Sequence, residues 1–130
     1  MKLSNRVTYD KIDDDTGFLL LDGTMLEREF IGRGIEVQYE VYDCLLVILE
    51  VDLEHLAIYL LDRNGKTLDE QHIGHWYFDA LFENPEIRDT DTLAFDFGKK
   101  GSVTVSEKPT RSSLFGKKRY LHFHGFTVES

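Results

Sequence analysis

The chain has 130 residues, 42% of them hydrophobic and 12% aromatic, and a net charge of −9. That length fits one domain spanning residues 1–130, and the composition is far from that of a disordered segment. The longest apolar run, Leu45 to Leu49, is too short to cross a bilayer, and the single cysteine, Cys44, excludes a disulfide framework.

The charge is unevenly spread. Residues 1–96 hold 22 acidic against 8 basic side chains, a net −14, whereas residues 97–130 hold 2 against 7, a net +5. An acidic surface repels nucleic acid and anionic lipid and draws in basic partners. The N-terminal Met1-Lys2-Leu3-Ser4-Asn5-Arg6 has no apolar core of a signal peptide. With a lone thiol suited to a reducing compartment, the expectation is a cytoplasmic protein with no membrane or nucleic-acid partner.

Along the chain, Val7 and Tyr9 suggest a first strand, and Asp13-Asp14-Asp15 a solvated loop. Phe18 to Leu21 and Met25 to Ile31 read as a hairpin turning at Asp22-Gly23, and Gly32-Arg33-Gly34 as a turn. In residues 35–42, Ile35, Val37, Tyr39 and Val41 alternate with Glu36, Gln38, Glu40 and Tyr42. Period two predicts a half-buried strand with the second set in water. Leu45 to Val51 is nearly unbroken apolar and reads as a central strand covered on both faces. A turn at Asp52–Glu54, a strand at Leu56–Leu61, an Asn64-Gly65 type I′ hairpin and a return strand at Thr67–Ile73 follow.

Trp76, Tyr77, Ala80 and Leu81 have helical spacing, so one short helix is expected over residues 76–83, ended by Pro85. Thr92–Phe97 and Ser102–Glu107 flank a basic tip, Gly98-Lys99-Lys100-Gly101, as a second hairpin. Arg119 to Val128 alternates again and reads as one long final strand. The expected fold is mainly β with minor helical content. It is an antiparallel sheet arranged as a meander, a sandwich or a partly open barrel.

No motif carries catalysis. Gly32-Arg33-Gly34 lacks the third glycine of a dinucleotide loop, and neither a nucleophile elbow nor a phosphate-binding loop occurs. From Asp13, position 5 of a calcium loop is Gly17 and position 12 is Thr24, so that spacing fails. His122-x-His124 and the looser pair His72 and His75 bring no cysteine or clear third ligand. No catalytic residue, cofactor or metal is therefore assigned, and the chain is not expected to be an enzyme. Cys44, in an apolar setting beside Asp43, reads as a small buried hydrophobe.

Size, acidity, the lone cysteine, aromatic richness and the lack of an enzyme signature together resemble a bacterial immunity protein. Such proteins are the small cytoplasmic inhibitors encoded beside a polymorphic toxin, as in contact-dependent growth inhibition. The resemblance implies a cognate toxin domain as partner, often a nuclease with a basic cleft, blocked by an acidic surface on a monomer or weak homodimer. The side chains expected to make that surface are Asp13, Asp14, Asp15, Glu36, Glu40, Tyr42, Asp52, Glu54, Asp69 and Glu70. The alternatives are a small-molecule-binding or catalytic β-barrel with a histidine-containing pocket, and a subunit that lends a strand to a partner's sheet edge.

Overall fold

A computed structural model describes residues 1–74, 79–111 and 116–129. Its strands are, in chain order, β1 (Lys2–Leu3), β2 (Val7–Lys11), β3 (Thr16–Leu21), β4 (Thr24–Ile31), β5 (Gly34–Val41), β6 (Cys44–Glu50) and β7 (His55–Leu61). They continue with β8 (Thr67–Gly74), β9 (Phe82–Arg88), β10 (Thr92–Phe97), β11 (Lys100–Thr110), β12 (Arg119–His124) and β13 (Thr127–Val128). A six-stranded sheet runs β1-β5-β6-β7-β8-β13, a four-stranded sheet β12-β11-β10-β9, and a three-stranded sheet β2-β3-β4. Neighbours are antiparallel, each sheet is mainly a meander of consecutive strands, and among the described residues no sheet closes into a barrel; the three sheets stack as layers of a sandwich.

The apolar runs in β6 and β7 explain the layering. Leu46, Ile48, Leu56, Ile58 and Leu60 pack on Leu93, Phe95, Val103, Val105 and Leu121 of the four-stranded sheet. The alternate residues Leu45, Val47, Leu49, Ala57, Tyr59 and Leu61 pack on Val7, Leu19, Leu21 and Phe30 of the three-stranded sheet. A strand covered on both faces needs apolar residues at every position, whereas flanking strands need them at every second one. Burying one such Leu or Ile contributes roughly 1.5–3 kcal/mol. Cys44 stands at the rim, half-buried against the first of these cores.

Two hairpins turn on paired positive φ angles. Asp22 (51°) and Gly23 (86°) join β3 to β4, and Tyr42 (50°) and Asp43 (59°) join β5 to β6. At β7–β8 only Gly65 (87°) is positive, and its N–H donates to Asp62 O at 3.0 Å. This is a type I turn followed by a left-handed glycine rather than the type I′ pair expected at Asn64-Gly65. The Asp62 carboxylate fixes it by accepting from the Asn64 and Lys66 amides, each at 2.9 Å.

Three further expectations are corrected. Residues 76–78 of the expected helix lie outside the described residues. Residues 79–81 form no helix, and Phe82 already opens β9. Pro85 stops nothing: it lies in the bulge where β9, an edge strand, slips register against β10. An edge bulge is where a residue without an N–H costs no ladder bond.

The alternation in β5 is also broken. Ile35 pairs with Leu49 and Val37 with Ile48, so a bulge at Glu36 turns Ile35 towards one core and Val37 towards the other. Gln38, expected in water, is buried. Its amide accepts from Val7 N at 2.9 Å and donates to Val7 O at 2.7 Å, joining the three-stranded sheet to the central one.

The long final strand is two strands in two sheets. β12 ends the four-stranded sheet, the chain turns at Gly125 (φ 82°), and β13 pairs with β8 across the sandwich. A Cβ on Gly125 would stand 2.7 Å from Lys100 O, so the crossing requires glycine. Among the described residues no helix is long and apolar enough to cross a membrane.

Candidate functional site

Backbone hydrogen bonds set three turns side by side at one end of the sandwich. Gly32 N donates to Asp15 O at 2.8 Å, Arg33 N to Glu50 O at 2.6 Å, and Ala80 N to Leu53 O at 2.6 Å. The β2–β3, β4–β5 and β6–β7 turns therefore share a surface. It gathers the carboxylates of Asp13, Asp14, Asp15, Glu36, Glu50, Asp52 and Glu54, of which Glu36, Glu50 and Asp52 flank a crevice floored by Leu56, Ala80 and Phe97. Four aliphatic side chains, Ile12, Ile31, Leu53 and Leu81, are exposed on the same turns and beside them.

Local chemistry fixes the acids. Asp13 Oδ1 accepts from Asp15 N at 2.8 Å, Thr16 N at 2.9 Å and Thr16 Oγ1 at 3.0 Å. These bonds, led by that from Asp15, hold its carboxyl below the usual range and tie the loop into an Asx turn. Glu36 moves the other way, raised by burial and by the charge of Glu50. Lys11 pairs with Asp14 at 3.4 Å.

Six of the ten expected contact residues thus meet: Asp13, Asp14, Asp15, Glu36, Asp52 and Glu54. The other four lie elsewhere. Glu40 pairs with Lys2 at 3.5 Å and Arg6 at 3.7 Å. Tyr42 lies in the β5–β6 turn at the opposite end of β5, and its hydroxyl donates to Asp91 at 3.2 Å. Glu70 lies on β8, paired with Arg28 at 3.0 Å and His72 at 3.1 Å. Burial raises the Glu70 pKa, but the His72 and Arg28 bonds outweigh it and the net shift is downward.

Asp69 is not a surface group, which corrects its expected role. Its side chain is 2% exposed. Oδ1 accepts from Arg119 Nη1 at 2.7 Å and from Glu70 N at 2.8 Å. Oδ2 accepts from Tyr120 N at 2.9 Å and Leu121 N at 3.0 Å. It ties β8 of the central sheet to β12 of the four-stranded sheet.

The described histidines do not converge. His72 bonds Glu70, His122 Nε2 lies 3.4 Å from Thr110 Oγ1, and His124 is exposed beside an open depression with Glu86, Asp96 and Ser102. His75 lies outside the described residues. Among the described residues every sheet is open, and no closed barrel interior is formed. Among the described residues no group of three or more His, Cys, Asp or Glu is placed to hold a metal ion.

His55 carries the densest histidine chemistry, and the pairing of motifs along the chain passed it over. Nδ1 lies 2.9 and 3.0 Å from the two Asp52 oxygens, and Nε2 lies 2.8 Å from Glu129 Oε1. Asp-x-x-His across a predicted turn was the available local signal; Glu129 had none. Arg28 was missed too: its guanidinium sits 4.6 Å over Phe30 and 5.6 Å over Tyr59, fixing its bond to Glu70.

A concavity of about 610 Å³ is an open cleft between β8 and Lys117, Lys118, Arg119 and Glu129, with charged groups of both signs. The Cys44 thiol is pushed up by burial and by the charges of Asp62 and Asp43, which opposes thiolate chemistry. What the acidic end can do is bind: it joins fixed negative charge to exposed aliphatic surface. No protein-family model, curated protein or solved structure matches the chain.

Proposed function

We propose that the chain is a toxin-neutralising immunity protein of the bacterial cytoplasm. In this reading it binds a basic, nuclease-type toxin domain through its acidic end and covers that domain's active site. The observation that carries it is the meeting of Asp13–Asp15, Glu36, Glu50, Asp52 and Glu54 with exposed Ile12, Ile31, Leu53 and Leu81. A nuclease cleft is lined with cations that bind phosphates. Carboxylates held on rigid turns would occupy those cations and speed the encounter. The aliphatic side chains would supply the dry centre from which most affinity comes.

The test uses the C-terminal domain of a toxin encoded immediately upstream, titrated calorimetrically with this chain. Tight binding that weakens with added salt is expected, with protection of cells that express the toxin domain. The double variant Asp15→Lys, Glu54→Lys should bind at least roughly tenfold more weakly, mainly through slower association. No binding by the unaltered chain would overturn the reading; equal binding by the variant would move the contact away from the acidic end.

A further inference from the structure

We propose that Asp52, His55 and Glu129 form a proton-operated latch on the C-terminal strand: the imidazolium holds β13 against β8, and loss of its proton lets the strand go. This inference does not depend on whether the acidic end binds a toxin.

Among the described residues, β13 pairs through Thr127 with Gly74 and Val128 with Ile73, extended by Glu129 N donating to His72 O at 2.8 Å. Thr127 and Val128 are exposed, so the strand buries little apolar surface. Each backbone bond contributes only about 1 kcal/mol net of the water it replaces. Just before it, Phe126 stacks on Phe95 at 4.7 Å, which anchors the chain there and confines release to the residues that follow.

The clamp is built into β8. A Cβ on Gly74 would stand 2.8 Å from His55 Cδ2 and 2.9 Å from Glu129 Oε1, so only glycine leaves room for the pair. Among the described residues, the charged groups facing His55 are Asp52 and Glu54 from its own turn and Glu129 from the end of β13; Gly74 brings none. An imidazolium donates from both nitrogens and satisfies both carboxylates. A neutral ring keeps one N–H. Asp52 is three residues away and is itself held by the Glu54 amide at 2.7 Å, so the remaining proton stays on Nδ1. The Nε2 lone pair then faces the Glu129 carboxylate, and that contact turns repulsive.

Burial works against the charged ring, but the Asp52 hydrogen bond and the charges of Asp52 and Glu129 outweigh it, so the His55 pKa is raised. The sign follows. The latch is fully closed below the ordinary histidine pKa and opens as pH rises through the raised, folded value.

Hydrogen exchange of the Glu129 amide, which is bonded to His72 O, corrected for intrinsic rate, reads the latch directly between pH 5.5 and 9. Protection should fall roughly tenfold across the His55 titration, which NMR follows on the same sample. Amides of β6 and β7 should show no such step. In His55→Gln the step should vanish. In Glu129→Gln, which keeps His55, the His55 midpoint should fall and the step should shrink. Protection independent of pH in the unaltered chain would overturn the proposal, as would an unchanged step in either variant.

Discussion

Over the three-stranded sheet, the buried groups that cross to the central sheet are neutral, and the charged Arg28–Glu70 pair stays at the partly exposed margin. Gln38 pairs with both backbone groups of Val7, and the Tyr59 hydroxyl accepts from Ile31 N at 3.1 Å and donates to Ile31 O at 3.3 Å. Over the four-stranded sheet, Gln71 donates to Leu121 O at 2.8 Å, but the most densely bonded crossing group is a carboxylate, Asp69, with Arg119 and the backbone amides of Tyr120 and Leu121. The position of each tie explains its chemistry. Gln38 and Tyr59 lie within the interface, where an ion would lose its water with no compensation, and burial drives the Tyr59 hydroxyl further from ionising. Asp69 lies where β8 meets β12, and Arg119 keeps its side chain 38% exposed. The cation stays partly hydrated while the anion is dry and fully bonded.

The largest expected effect breaks the charged tie. Asp69→Ala removes the acceptor of five hydrogen bonds and leaves the Tyr120 and Leu121 amides without it, so about 3–5 kcal/mol of stability should be lost in urea denaturation. Arg119→Ala leaves those amides bonded to Asp69 and removes a partly hydrated cation, so about 1 kcal/mol is expected. Equal losses would mean that the ion pair, rather than the amides it organises, joins the layers.

The neutral tie comes next. Gln38→Ala strands the Val7 N–H and C=O in the interface, which should cost about 2–3 kcal/mol. The same variant should speed exchange of amides in β2 ahead of those in β7. If β7 amides respond equally, the three-stranded layer opens only with the whole domain.

How far these ties could be read beforehand follows from their range. The unbroken run at Leu45–Leu49 is readable because a doubly covered strand shows in consecutive residues, and Asp22-Gly23 because a two-residue turn is local chemistry. The bulge at Glu36 left no such mark: with the register shift, residues 35 and 37 face opposite cores although the letters still alternate. Asp69 bonds Arg119 fifty positions away and Gln38 bonds Val7 thirty-one away, and no periodicity records either distance. Pro85 misled because its usual helix-stopping role and its edge-strand role share the same missing N–H. For the acidic end, the carboxylate residues were visible and their assembly was not. Asp13–Asp15, Glu36 and Asp52–Glu54 meet because β-hairpins return turns to the same end, and Glu40 and Tyr42 are carried away by the length of β5.

The smallest expected effect separates burial from range. Tyr42 also links the central sheet to the four-stranded layer, through its hydroxyl and Asp91, forty-nine positions away. It is as long-range as the Asp69 tie, and its acceptor is likewise a carboxylate. The difference is water: Tyr42 is 40% exposed, and its bond is accessible to solvent. Removing the hydroxyl lets water take its place on Asp91, so Tyr42→Phe should cost under about 0.5 kcal/mol. The ring and the positive φ of the turn are unchanged by that substitution, so the measurement isolates the bond. A loss approaching that of Asp69→Ala would show that crossing between layers is itself what stabilises. A near-zero loss assigns the stabilisation to dry, fully partnered groups, and leaves the exposed tie to set how the two layers meet.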